Sequence, residues 1–271
     1  MKRYSFFHAL VLSFFSKPLY QDVGQHWRGT GLLYLAIVLA LLWIPTIIKM
    51  QLGFNRFANN EAPRITSQIP RITIRDGKVS TDVATPYFIN DPNDGTPMMI
   101  IDTTGEYETL DDTPAKLLLT KSKLITRTER DTRTYDLSGV QSFDVDRPRV
   151  EGWLSASKTW LAPVAYPVLL LTSFVLRAIQ VLIYALIGLL FARMLHASLN
   201  YKTLMRLAAV AVTPVLVLNL LLEFIPVGIP VWWLIGTVIS LAYLFFAVKS
   251  NSDIAVPPPS PPLVVYPPSQ S

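Results

Sequence analysis

Hydrophobic positions along this chain follow two different patterns. Residues 30–48, 160–192 and 207–248 are near-continuous apolar runs with almost no charge, as a helix surrounded by lipid must be. Residues 50–158 mix polar and apolar positions in short alternations, as a water-soluble domain does. A hydrocarbon core about 30 Å thick takes about 20 residues at a rise of 1.5 Å each. The run 31–48 meets that need. The residues ahead of it include Pro18, Asp22 and Trp27, which argues against a cleaved signal peptide, whose apolar core spans only about 7 to 15 residues.

The run 160–195 is too long for one span, roughly 54 Å as a single helix, and too short for two spans and a loop. One crossing over 172–193 is expected, preceded by a shallow or projecting helix around Pro163 and Pro167, with two half-helices as the alternative. The third run breaks at 225–230, where Pro226, Gly228 and Pro230 end a helix, so 204–224 and 231–248 are expected to form a hairpin of two spans. Trp232 and Trp233 suit an interfacial belt.

Before the first span, residues 4–27 carry Phe6, Phe7, Leu10, Phe14 and Phe15 among polar residues. Two readings stand equally: a segment lying along the membrane surface, or one packed on the ends of the spans. The Pro-rich tail from Ala255 to Ser271 favours extended polyproline and is expected to be disordered.

Between the first two spans, strand-length runs at 72–75, 97–102, 117–127, 133–137 and 140–145 are separated by turn chemistry such as Asp76-Gly77, Thr104-Gly105 and Ser138-Gly139. The expected architecture is therefore a polytopic α-helical membrane protein with about four transmembrane helices. A β-rich (α+β) extracytoplasmic domain is inserted between the first and second spans. The expected segments are an interfacial stretch 1–28, a span 29–49, the β-rich domain 50–158, a helical bundle 159–250 and a tail 251–271.

Charge changes the picture by giving orientation. Outside 50–158 the acids are only Asp22, Glu223 and Asp253, while Lys2, Arg3, Lys17, Arg28, Arg193, Lys202, Arg206 and Lys249 flank the apolar runs. The positive-inside rule then places both termini in the cytoplasm, and the net charge of +5 reads as topology rather than as a nucleic-acid site. The chain has no cysteine, so disulfides, thiol nucleophiles and thiolate metal sites are excluded.

Candidate chemistry is sparse. The stretch from Met98 to Gly105 resembles an apolar-Asp-Thr-Gly protease loop, but Thr103 and Thr104 both separate Asp102 from Gly105 and no second such motif supplies a partner carboxylate. Asp102, Thr103, Thr104 and Gly105 are read as an outer-domain turn. The stretch Asn90 to Gly95 has calcium-loop composition, yet Pro92 falls at a ligand position, and Glu106, Glu108, Asp111 and Asp112 lack a defining spacing. His8, His26 and His196 share no ligand spacing. No metal, cofactor or catalytic residue is expected.

Inside the spans, Arg177 is conspicuous, because an arginine at a helix centre costs about 2.5 to 3.5 kcal/mol while each leucine returns only about 0.3 to 0.6. Gln180 lies one turn on, and Asn219 and Glu223 share a face of the third span. If the two spans are antiparallel neighbours, Arg177 meets Glu223 and Gln180 meets Asn219, forming an intramembrane polar ladder.

The runs SFFSKPLYQDV from Ser13, WRGTGLLYL from Trp27, IIDTTG from Ile100, LLLTKSKLI from Leu117 and IQVLIYALIG from Ile179 resemble the bacterial membrane family catalogued as domain of unknown function 1189. The likeness covers most of residues 10–248. Some members carry the label maltodextrin-utilisation membrane protein, and a distant likeness to Yip1-type membrane proteins accompanies it. The resemblance implies a multi-pass protein of the bacterial inner membrane and supplies no catalytic residues. The expected function is a non-enzymatic membrane protein that binds a ligand, or a membrane-protein or envelope partner, through its outer domain. The alternative is a small transporter or transporter subunit, sugar-related if the label holds.

Overall fold

The architecture is that of a computed structural model, in which residues 4–129, 131–225 and 228–252 are described. In chain order it runs α1 (Phe6–Leu12), α2 (Lys17–Gln25), α3 (Leu32–Asn60), α4 (Ala62–Thr66), β1 (Ile72–Arg75), β2 (Lys78–Thr81), β3 (Tyr87–Asn90) and β4 (Pro97–Asp102). It continues with β5 (Leu117–Thr120), β6 (Lys123–Arg127), β7 (Thr132–Asp136), β8 (Ser142–Val145), α5 (Arg147–Met194), α6 (Tyr201–Ala211), α7 (Thr213–Glu223) and α8 (Trp232–Ser252). Among the described residues four helical stretches are long and apolar enough to cross a membrane: Leu32–Asn60, Arg147–Met194, Tyr201–Glu223 and Trp232–Ser252. The protein is thus a helical membrane protein with a β domain. It divides into a helical unit, up to Thr46 and from Tyr166 onward, and a β-rich unit, Ile47–Ala165.

In the helical unit α6 is the hub. From Leu204 to Val212 all but Arg206 are buried, and small side chains such as Ala208 and Ala209 let neighbouring helices approach. Pro214 lacks the N–H that would continue the ladder, and the third span is interrupted at Val212 between α6 and α7. Outward, α5 presents Leu171, Val175, Ile179, Leu182, Leu186 and Leu190, a helical stripe with the spacing and apolarity of a lipid-facing surface.

The segment before the first span resolves into two helices with different roles. Ser16 caps α2 by accepting from the Leu19 amide, and α2 buries Leu19, Tyr20, Asp22 and Val23 while packing on α6 and α8. Asn251 donates to the Tyr20 carbonyl at 3.0 Å, Gln21 donates to the Ser250 carbonyl at 3.0 Å, and Arg206 donates to the Gly24 carbonyl at 3.1 Å. Basic Arg206, read from the sequence as a topology marker, therefore also fastens α2. On α1, Ala9 is buried whereas Phe7 and Val11 point outward, as does Phe15 beyond it.

In the β-rich unit, β2-β1-β8 form one antiparallel sheet and β3-β4-β5-β6-β7 form another, with β4 and β5 parallel and the remaining pairs antiparallel. Period-two alternation sorts the larger sheet's side chains. Ile100, Leu118 and Ile125 lie under the crossover between β4 and β5, which contributes Leu110 and Ala115. Ile89, Ile101 and Leu119 face the opposite way and cluster with Ile72 and Ile74 of β1. The crossover is held by Arg127, which donates to the carbonyls of Leu110 (2.6 Å), Ala115 (2.9 Å) and Thr113. Arg127→Met is expected to destabilise the β-rich unit by about 2 to 4 kcal/mol, because three carbonyls lose a charged donor. Arg127→Lys should recover only part of this, since an ammonium cannot reproduce the planar fork. Hydrogen exchange of amides 103–116 measures it, and wild-type protection in Arg127→Met would refute the role.

Several expectations are corrected. The run 160–195 is neither a separate projecting helix plus a crossing nor two half-helices, because α5 is continuous from Arg147 through Pro163 and Pro167. At roughly 72 Å it is more than twice a hydrocarbon core. Ahead of Pro163, the Gln51 side-chain amide donates to the Lys158 carbonyl (2.8 Å) and accepts from the Ala162 backbone N–H (3.2 Å), tying together backbone groups one turn apart. The boundaries near 50 and 158 accordingly fall inside α3 and α5. The run 117–127 is two strands folded at Lys121-Ser122, and β2 and β3 add strands with no strong sequence signal. The break at 225–230 includes Pro226 and Val227, which lie outside the described residues, as do Lys2, Arg3 and the tail from Asp253.

Candidate functional site

Each place singled out in the sequence has a definite structural setting. Asp102 ends β4 fully buried, and its carboxylate is consumed by its own loop. Oδ1 accepts from the Thr104 amide (2.8 Å), the Thr104 hydroxyl (2.6 Å) and the Gly105 amide (3.3 Å), while Oδ2 accepts from the Tyr107 amide (2.6 Å). Burial pushes the carboxyl pKa up, but these hydrogen bonds outweigh it and hold the group below the ordinary aspartate range. Gly105 supplies the positive φ that the turn needs, and Thr103 shares a 2.9 Å hydroxyl contact with Thr85. Asp102, Thr103, Thr104 and Gly105 thus build a turn.

The calcium-like stretch is also a turn, between β3 and β4: the Asp91 carboxylate accepts from the Asn93 amide at 2.8 Å and the Asp94 carboxylate accepts from the Thr96 amide at 2.9 Å. Among the described residues no three His, Asp or Glu side chains converge in a way that could hold a metal ion.

The intramembrane residues gather, but not as the expected rungs. Arg177, Asn219 and Glu223 border one cavity of about 260 Å³ together with Thr46, and Arg177, Gln180 and Asn219 border another of about 350 Å³ with Trp232. Arg177 turns along its own helix and donates to Gln180 at 2.6 Å, and Gln180 donates to the Tyr184 hydroxyl at 2.8 Å. Glu223 accepts from the Thr46 hydroxyl at 2.8 Å, and Asn219 accepts from the Trp232 indole N–H. The pairs Arg177 with Glu223 and Gln180 with Asn219 are replaced by partners on α3, α5 and α8. The i, i+3 spacing on α5 puts Gln180 within reach of Arg177 on the same helix face.

One further cavity was not foreseen. Within the β-rich unit the two sheets enclose about 530 Å³ between their apolar faces. Ile72, Ile74 and Phe143 wall it from the smaller sheet, and Ile89, Leu119 and Leu124 from the larger. All fourteen lining residues are Ile, Leu, Val, Met or Phe. The signal in the sequence was unbroken apolar runs where alternation would serve one core: Met99/Ile101 and Leu117/Leu119 point to one face although Ile100, Leu118 and Ile125 already fill a core on the other. Chemically such a cavity can hold apolar matter and nothing that needs a hydrogen bond.

No curated protein and no solved structure matches the chain. A family model does, over residues 7–248, and its description is Protein of unknown function (DUF1189). That match takes in every described element except the last few residues of α8 and the first of α1, so the chain belongs to this family.

Proposed function

We propose that this protein is a non-enzymatic, ligand-binding protein of the bacterial inner membrane, with both termini cytoplasmic and the β-rich unit outside. The observation that carries the reading is the apolar cavity between the two sheets, which has the size and lining of a ligand site. The Asp102 carboxylate, spent on its own turn, supports a binding role over a hydrolytic one. The basic residues flanking the spans support the orientation.

Full-length protein, purified and exchanged into nanodiscs, is expected to retain a class of small molecule by native mass spectrometry, and Leu119→Trp is expected to deplete it. Equal retention by both proteins would sink the ligand reading. Orientation is tested separately, because the cysteine-free chain allows Thr134→Cys on exposed β7 to be labelled uniquely. An impermeant maleimide should modify it from outside spheroplasts, and labelling restricted to inverted vesicles would reverse the topology.

A further inference from the structure

Protein interiors pack to the density of organic crystals, so apolar faces of two sheets do not stand apart over 530 Å³ for want of side chains to fill the space. Dry apolar voids take apolar ligands, and this volume falls within the roughly 300 to 1,000 Å³ of single small-ligand pockets. Its walls discriminate further. A peptide would carry backbone N–H and C=O groups into a space offering no partner for them. A flat polycyclic ligand would gain most from aromatic walls, yet among the described residues Phe143 is the only aromatic one in the lining, and it is 44% exposed. The remaining wall is aliphatic, and Met98 and Met99 add flexible side chains that follow an irregular shape.

The cavity is also graded along its depth. Ile72, Ile74, Ile89 and Leu119 are buried at 4 to 7% exposure, whereas Leu117 and Phe143 are open to solvent at 37% and 44%. An occupant would therefore leave one end at a solvent-facing mouth and place the other among groups that accept only hydrocarbon. Resting on the ligand-binding reading above, we infer that the cavity takes one hydrocarbon chain of an amphiphile, with the polar head remaining outside at Leu117 and Phe143. The four apolar spans keep the protein in a bilayer, where such molecules are the surrounding solvent.

The test uses the full-length chain in phosphatidylcholine nanodiscs and palmitic acid bearing a terminal diazirine, with cross-links mapped by tandem mass spectrometry. Saturable labelling of the deep wall around Ile89 and Leu119 is expected, displaced by unlabelled palmitate. Leu117→Trp, a change at the exposed mouth that leaves the core intact, should weaken it about tenfold, equivalent to about 1.4 kcal/mol. Thr134→Trp on the exposed strand β7 should leave it unchanged, which separates blocking the mouth from adding an indole. If a rigid polycyclic diazirine or an apolar photoreactive peptide labels the wall and palmitate does not, the chain inference is overturned while the ligand-binding reading stands. If no probe labels the wall and only the spans react, both fall.

Discussion

Gly31→Ala is expected to lower the stability of the helical unit by about 2 to 5 kcal/mol, whereas Gly29→Ala, two residues earlier and at the same φ of +80°, should cost only the smaller part of that. Both positions hold left-handed backbone that a side chain strains by about 1 to 2 kcal/mol. They differ in what a methyl group would meet. At Gly29 nothing lies within 4 Å, whereas at Gly31 it would stand 2.9 Å from the Arg206 Cα and 3.0 Å from the Ala209 Cβ. The first of these is backbone of the buried helix α6, which cannot yield without disturbing the bonds from Arg206 to the Gly24 and Gly29 carbonyls. Thermal unfolding of the two variants in one detergent makes the comparison, and equal shifts would show that the approach of residue 31 to α6 contributes nothing.

The second large effect is at Asp102. Asp102→Ala removes the acceptor for three backbone amides and a hydroxyl at the end of β4, and should cost the β-rich unit about 2 to 4 kcal/mol. A pH dependence accompanies it. The folded carboxyl has a pKa below that of the unfolded chain, so its contribution is complete above the unfolded value, near 4, and is lost as pH falls through the folded value. The stability gap between wild type and Asp102→Asn should therefore be widest at neutral pH and narrow below about pH 4. Hydrogen exchange of the β4 and β5 amides across that range reads the gap. A constant gap would mean that the carboxylate charge has no part in the turn.

These predictions draw on different levels of legibility. The spans were readable because lipid imposes a one-dimensional rule: a run of apolar residues of sufficient length has few other uses. Strand β1 was readable because alternation and the Asp76-Gly77 turn coincide, and β4 because a strand-length apolar run ends in turn residues after Asp102. By contrast β2 and β3 showed little signal, since Lys78–Thr81 and Tyr87–Asn90 are short and acquire their strand character from partners, Ile74 opposite Val79 and Ile101 opposite Tyr87. The length of α5 was hidden by Pro163 and Pro167, which locally argue for a break; Gln51, more than a hundred residues away, bridges the backbone groups just ahead of them.

At the candidate sites the division is similar. Composition alone identified Arg177, Gln180, Asn219 and Glu223 as polar groups in apolar helices, because desolvation makes each of them costly wherever it sits. Which of them touch depends on side-chain reach: Tyr184 meets Gln180 one turn on along α5, whereas Thr46 and Trp232 became partners of Glu223 and Asn219 through packing that no local pattern encodes.

What the sequence determined by itself was the partition between lipid and water, because hydrophobicity is a property of each residue and sums along the chain. The tertiary structure alone decided the cavity between the two sheets. A void is a relation between surfaces distant in sequence, and Ile72 and Leu119 show their shared opening only once β1 and β5 stand on opposite sides of it.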